Sequence, residues 1–514
     1  MFILKSNVLW RVKKMLLTNK KNKLFFFFFL AIVFLFFVVF FSKIHPIIVS
    51  DTDDWHHVYF HRDAVPNVKN WNPARVLPEV LMPLISEFAA YFLKPIAVLF
   101  GKGIFETLTL SYAIVVSATM VFFIFILARY LAELKCRPFT IICIILYFLF
   151  CNFWIFRAKI SENNYMLKSN DACTYFYYVI PNLLNCTAVL IFKKLFIKTS
   201  TDLNLTKHSL FIVLVYFCIF SNIFASIILS VFAGVVLLDT LIHNIRTKHF
   251  SFKVFLKDNY VFIIIVILWA IGQIFEINGR RAGSVSSFTP NNIIVCAKSL
   301  YHLVDKMNPF FLILSIIILV IGSTIAIIGK DKKSIHEIII SVICFLLIAL
   351  YLVLSCSVIG TDYIERSNVF YGLFFFGMMI IIQCLVLIFD KFSKALYFVP
   401  LLLIIIFFNI DTEGKTFQES YASGIGIVEP WQAYAIDYDI TNQVKKATEN
   451  GEASVDIIVP EFDSTDNWPY PELYSADRLI AMLYKLGEID YPIVCNGLHT
   501  SIDKNIELRI PLPY

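Results

Sequence analysis

The strongest constraint on this chain is its long apolar runs. Leu24–Phe41 reads LFFFFFLAIVFLFFVVFF, and similar stretches fill Pro309–Gly329, Ile338–Ser355 and Val369–Phe389. Runs of roughly 18 or more apolar residues read as transmembrane helices, because a bilayer leaves no water to satisfy the backbone and a helix satisfies itself. Hydrophobic residues make up 59% of the chain and charged ones 16%. A soluble domain holds about 45–50% and 25%. The pattern therefore predicts an all-α polytopic membrane protein.

Eleven spans are predicted, near 24–42, 107–132, 139–157, 173–192, 209–221, 225–243, 259–276, 309–329, 338–357, 369–389 and 395–410. The fifth and sixth together are barely long enough for two crossings. They read as two short spans or as a re-entrant hairpin turning at Ser221-Asn222. The basic segment 1–23 reads as a cytoplasmic N-terminus followed by an uncleaved first span, since no small-residue cleavage site ends the apolar run. Lys and Arg also gather at 193–194 and 330–333. The positive-inside rule then puts the N-terminus in the cytoplasm and both 43–106 and the tail outside.

The tail, 411–514, has 18 acids against 7 basic residues. It alternates a helix-like piece, Ser475–Gly487, with strand-like pieces at Val455–Val459 and Ile506–Ile510, and reads as a small external α/β domain. The domain plan is thus a basic N-terminus at 1–23, a membrane domain at 24–410 with an external loop at 43–106, and an external domain at 411–514. The net charge of +6 is distributed as membrane topology demands and gives no sign of a nucleic-acid partner. Eleven cysteines lie mostly within apolar runs and form no CxxC pair. There they behave as small hydrophobes.

The densest polar cluster follows the first span: VSDTDDWHHVYFHRDAVPNVKNWNPARVLPE. Asp51, Asp53 and Asp54 place carboxylates at the membrane surface, where they can take a hydroxyl proton or hold a divalent ion. The bland alternative is a hydrated loop with an Asp capping a helix. Arg75, Arg280, Arg281 and Arg366 are candidate phosphate binders, since a guanidinium stays charged and offers a planar fork; each could equally be an interfacial charge. The segment after Pro78 is amphipathic, with Glu79, Glu87 and Lys94 among apolar residues. It suits an interfacial helix bordering a groove for membrane lipids. His56, His57 and His61 lack the spacing that completes a zinc site, and a structural role is expected of them. Trp468, in DNWPYPELYS, is a candidate sugar-stacking residue, with a core or turn role as its alternative. The predicted spans carry almost no charge at mid-depth, unlike those of ion-coupled transporters.

Many spans, a DTDD motif in the first external loop, an amphipathic external helix and a late external Arg366 together resemble a GT-C-fold membrane glycosyltransferase. Within that class the chain resembles bacterial O-antigen glucosyltransferases of the Gtr serotype-conversion type. The resemblance implies an inverting hexosyltransferase of the bacterial inner membrane. Its donor would be a polyprenyl-phosphate sugar such as undecaprenyl-phosphate glucose. Its acceptor would be a hydroxyl of a lipid-linked O-antigen or similar polysaccharide. The general base would be Asp53 or Asp54, and the substrate-binding set would include Asp51, Arg75, Glu79, Arg280, Arg281, Arg366 and Trp468. No cofactor or metal is implied, although the DxD spacing leaves a divalent ion open. The competing function is a lipid-linked oligosaccharide flippase or an O-antigen polymerase.

Overall fold

The computed structural model describes residues 20–49, 52–62, 73–155, 166–167, 169–196, 205–247, 251–278, 288–409, 430–461, 476–510 and 512. In chain order the helices are α1 (Lys20–Val39), α2 (Thr52–Tyr59), α3 (Leu77–Val98), α4 (Ile104–Glu133), α5 (Pro138–Trp154) and α6 (Ala172–Lys193). There follow α7 (Leu205–Ile219), α8 (Ile223–Arg246), α9 (Phe252–Ile277), α10 (Pro290–His302), α11 (Pro309–Ile328), α12 (Lys332–Ile359), α13 (Tyr371–Lys391) and α14 (Val399–Phe408). The tail adds α15 (Pro430–Glu449), β1 (Ser454–Pro460), α16 (Ala476–Lys485), β2 (Val494–Ser501) and α17 (Ile502–Leu508).

Among the described residues, nine helices are long and apolar enough to cross a membrane. This is the architecture of a membrane-embedded, multi-pass helical protein. Eight of the nine fall on predicted spans. The other three predicted spans, 139–157, 209–221 and 395–410, are shorter apolar helices. The ninth long helix is α3, taken from the sequence as amphipathic.

The chain forms two compact units. Unit 1 holds residues 1–33, 119–167 and 181–413, and thus most of the apolar helices. Helix α13 is largely enclosed, with Phe375, Phe376, Ile382 and Cys384 buried. Small residues let its neighbours approach: a methyl group on Gly322 of α11 would collide with Cys384, and one on Gly372 would meet Ile228 at 2.9 Å. Without a hydrophobic drive between helices in lipid, such close packing and interhelical hydrogen bonds supply the cohesion. Asn182 donates to the Asn368 carbonyl at 2.8 Å, Asn185 to that of Cys218 at 3.0 Å, and Tyr371 to Asn152 at 3.1 Å. The expected turn between α7 and α8 falls at 220–222, where the Asn222 side chain accepts from the Phe224 and Ala225 amides and caps α8.

Unit 2 holds residues 34–118, 168–180 and 414–514. It gathers the C-terminal end of α1, the N-terminal ends of α4 and α6, all of α2 and α3, and the tail. The described parts of the polar loop and of the acidic tail therefore belong to one compact unit. Helix α3 has both ends in this unit. Its charges are paired along its length: Glu79 with Arg62, Glu87 with His61 and Lys485, Lys94 with Glu488. Its other side exposes Leu84, Phe88, Phe92 and Ile96. Length and composition alone would let α3 cross a bilayer; its pairing makes it an amphipathic helix with one polar-lined side.

In the tail, β1 and β2 form a parallel two-stranded sheet, with α15 and α17 packed on β1 and α16 on β2. The α/β reading holds and the helix expected at 475–487 is α16. The strand expected at Ile506–Ile510 is a correction: 502–508 is helical. Ile506, Leu508 and Ile510 alternate as a strand would, but Ser501 is the extended residue preceding the first turn, Asp503 sits in that turn, and Arg509 turns left-handed to end it. The true second strand hides an Asn-Gly pair that imitates a turn. Here it marks a bulge: Val455 pairs with Cys495 and Asp456 with Gly497, leaving Asn496 between. None of the eleven cysteines forms a disulfide.

Candidate active site

Helix α2, TDDWHHVY, decides how the acidic cluster is presented. Successive helical residues point about 100° apart, so neighbouring carboxylates diverge. Asp54 turns inward and is fully buried. Its carboxylate accepts the backbone N–H of Cys173 at 2.5 Å and of Ala172 at 3.3 Å. Asp171 takes the Thr174 N–H at 2.6 Å. The first turn of α6, whose amides have no partners within the helix, thus receives two carboxylates at its positive end. The same joint is held by backbone bonds: Ile48 N–H to the Asn170 carbonyl at 2.8 Å and Ala172 N–H to the Ile48 carbonyl at 3.0 Å. His45 and Asn170 add side-chain bonds across it.

Asp53 turns the other way. Its side chain is 56% exposed, and the Arg478 guanidinium of α16 lies 3.9 Å away. Helix α16 packs on α2 by burying Leu479, Ile480, Met482 and Leu483. His56, one turn after Asp53, shares its face. It stacks on Phe60 with ring centroids 4.5 Å apart. Burial first, and Arg478 second, push the His56 imidazole below its ordinary range, against the opposing pull of Asp53. It is therefore held neutral near pH 7 and able to accept a proton. Burial raises the Tyr59 phenol, which stays protonated. His57 turns inward, 3.0 Å from the Tyr177 hydroxyl.

The chain reaches α3 through Arg75, whose φ is +58°, a left-handed conformation costing a side-chain-bearing residue about 1–2 kcal/mol. Its carbonyl accepts the Glu79 N–H at 3.2 Å. Glu79 is 2% exposed and ion-paired to Arg62. It serves as a buried anchor for the strand of chain after α2: the Arg62 N–H also donates to the Glu79 carbonyl at 3.0 Å. Four π-helical turns occur among the described residues, at Phe40–Ile44, Leu77–Leu81, Ala89–Leu93 and Tyr175–Val179. All belong to unit 2, the unit of the acidic cluster. Such turns concentrate at functional sites in proteins generally.

Unit 2 thus contains Asp53, Asp54, Arg75 and Glu79 of the expected set. Arg366 belongs to unit 1, where its guanidinium lies 3.9 Å over the Tyr363 ring and 3.4 Å from Asp362. Asp51, Arg280, Arg281 and Trp468 lie outside the described residues. Among the described residues, no three of His, Cys, Asp and Glu are grouped to hold a metal ion. His57 and His61, which could share a helical face, instead go to Tyr177 and Glu87, and His61 lies beyond the end of α2. Sequence reasoning passed over Arg478 and expected only a structural role of His56. Only the helical spacing from Asp53 could have flagged His56, and nothing local could have flagged Arg478.

The chain matches no protein-family model, no curated protein and no solved structure. Its chemistry is read from these residues alone. An accessible carboxylate, a neutral imidazole on the same face and a nearby guanidinium can remove a proton from a hydroxyl while stabilising negative charge on a second group.

Proposed function

We propose that this protein is a membrane glycosyltransferase. It moves a hexose such as glucose from a polyprenyl-phosphate sugar to a hydroxyl of a lipid-linked O-antigen or similar surface polysaccharide, on the outer face of the bacterial inner membrane. The observation that carries this reading is the division of labour in α2. Asp54 is consumed as an anchor for α6, while Asp53 stands exposed beside Arg478 and His56. Of the two candidate bases, Asp53 is the one an acceptor hydroxyl could reach. In this reading Asp53 takes the hydroxyl proton, the hydroxyl oxygen attacks the anomeric carbon, and the phosphate departs from the opposite face with inversion. The exposed apolar side of α3 accommodates the isoprenoid chain. N-terminus cytoplasmic and tail external remains the proposed orientation, because polyprenyl-phosphate sugars serve reactions on the side where nucleotide sugars are absent.

The test uses full-length protein in nanodiscs, a synthetic polyprenyl-phosphate hexose and the lipid-linked polysaccharide of the source strain. Wild type should transfer the hexose, and Asp53→Asn should lose about 10²–10⁴-fold in rate at unchanged thermal stability. Transfer by Asp53→Asn at the wild-type rate would remove Asp53 as base. Absence of transfer with every hexose donor would remove the reading itself.

A further inference from the structure

The tail was expected from the sequence to be a separate external domain, with a single aromatic segment offered for acceptor binding. The structure of unit 2 suggests a more direct part. We propose that Arg478, carried on α16 of the tail, binds the donor's phosphate beside Asp53 and stabilises the charge that accumulates there as the sugar departs. This inference rests on the glycosyl-transfer reading above.

Three features support it. First, the pairing of Arg478 with Asp53 is loose. At 3.9 Å the two are an ion pair but not a hydrogen-bonded one, and both side chains are partly in solvent, at 39% and 56% exposure. A guanidinium so placed keeps its fork available to a planar or tetrahedral oxyanion.

Second, neighbouring cations of unit 2 are already engaged with carboxylates. Arg62 pairs with the buried Glu79. Lys485 pairs with Glu87 at 3.0 Å, and Lys445 with Glu488 at 2.7 Å. Lys94 holds the other oxygen of Glu488. Diverting any of these would break an existing ion pair, and the Glu79 and Glu488 side chains that would lose one are only 3% and 5% exposed.

Third, α16 is held along its buried face and at its C-terminal end, so the helix that carries Arg478 is fixed. Its apolar face is buried, and at its C-terminal end Tyr91 donates to the Lys485 carbonyl at 2.6 Å beside the Lys485–Glu87 pair. A charge stabiliser contributes most when the fold has already oriented it.

The reaction balances without an added reagent. The acceptor hydroxyl gives its proton to Asp53, and its oxygen forms the new bond to the anomeric carbon. The bond from that carbon to the phosphate oxygen breaks, and its electron pair stays on the phosphate. The donor is a phosphodiester with one negative charge; the leaving polyprenyl phosphate is a monoester approaching two. A guanidinium on that phosphate is therefore worth more late in the reaction than at the start, which is the condition for lowering the barrier.

Binding and transfer are measured separately on the full-length protein in nanodiscs of neutral phosphatidylcholine. Undecaprenyl phosphate is the binding probe; undecaprenol and phosphatidylglycerol are the controls for the chain alone and for a generic anionic headgroup. Saturable thermal stabilisation of wild type is expected from undecaprenyl phosphate and from neither control. Arg478→Ala should weaken that binding at least about 10-fold, and Arg478→Lys should restore only part of it. Asp53→Asn should bind as wild type does, or more tightly, while failing to transfer. Lys485→Ala, at the far end of α16, controls for displacement of the helix and should bind nearly as wild type does. Wild-type binding by both Arg478 variants, with Asp53→Asn still inactive, would overturn the role of Arg478 and leave the transferase reading standing. Equal weakening in Lys485→Ala would assign the effect to helix displacement and also overturn it. Equal stabilisation by phosphatidylglycerol would reduce the site to a generic anionic-lipid contact. No binding and no transfer by wild type would overturn both readings.

Discussion

Asp53 and Asp54 are adjacent in sequence and opposite in fate: Asp54 accepts the Cys173 amide at 2.5 Å within the protein, while Asp53 faces solvent and Arg478. Replacement should separate them. Asp54→Ala removes the acceptor for two amides at the start of α6 and should destabilise by about 1–3 kcal/mol or more. Asp53→Ala should leave the melting temperature nearly unchanged. Fluorescence-detected thermal unfolding of the two variants in detergent checks this directly.

The buried pair Arg62–Glu79 gives a second prediction. Arg62→Ala removes the Arg62 guanidinium from the buried Glu79 carboxylate and should cost about 3–5 kcal/mol. The double variant Arg62→Ala/Glu79→Gln should recover a large part of that loss. A double-mutant cycle read by thermal unfolding gives the coupling, and independent, additive losses would contradict it.

His56 should make stability depend on pH. Its imidazole is held below the ordinary value by burial and by Arg478. The unfolded chain therefore binds a proton at a higher pH than the folded one does. Its stabilising contribution is complete above the unfolded value, near 6.5, and is lost as pH falls from there through the folded value. His56→Gln should flatten the melting temperature between pH 5 and 7. An equally steep slope in that variant would show that other groups govern it.

Asp437 should act with the opposite sign. It is buried on α15, and burial alone raises its carboxyl well above the usual range. The folded form keeps the proton that the unfolded form releases near pH 4. Its contribution is therefore complete below the ordinary carboxylate range and declines as pH rises toward the folded value. Asp437→Asn should raise the melting temperature at pH 8, by roughly 2–4 °C for each kcal/mol regained in a domain of this size. The gain at pH 5 should be smaller.

Much of the architecture was legible because its signals are local. A run such as Leu24–Phe41 can scarcely be anything but a span, and Asn222 both breaks the apolar run and caps the next helix. Helix α16 was legible from the spacing of Leu479, Ile480, Met482 and Leu483. The failures share a cause. β2 carries Asn-Gly, a turn signal that the sheet absorbs as a bulge, and α17 has the alternation of a strand with the entry residue of a helix. At the candidate site, the acidic cluster was legible but its inner division was not. Which of two adjacent carboxylates is buried depends on which side of α2 meets α6, and that is a tertiary fact. Arg478 was beyond reach for the same reason: it is a single basic residue in an acidic tail, made significant by packing against a helix near the other end of the chain.

The bonds between α3 and the tail also set an order of events during synthesis. Tyr91 and its partner Lys485 are 394 residues apart, as are Lys94 and Glu488. At about 5–20 residues per second, roughly 20–80 seconds separate the emergence of the two partners from the ribosome. Through that interval Lys94 waits for Glu488 and Glu87 for Lys485 on one side of α3, with bare aromatic rings on the other, a combination suited to a lipid headgroup layer. A chain whose synthesis halts before residue 478 has Asp53 made, yet no Arg478 beside it. On the transferase reading proposed above, the protein gains its phosphate-binding cation only once α16 has been made and packed on α2.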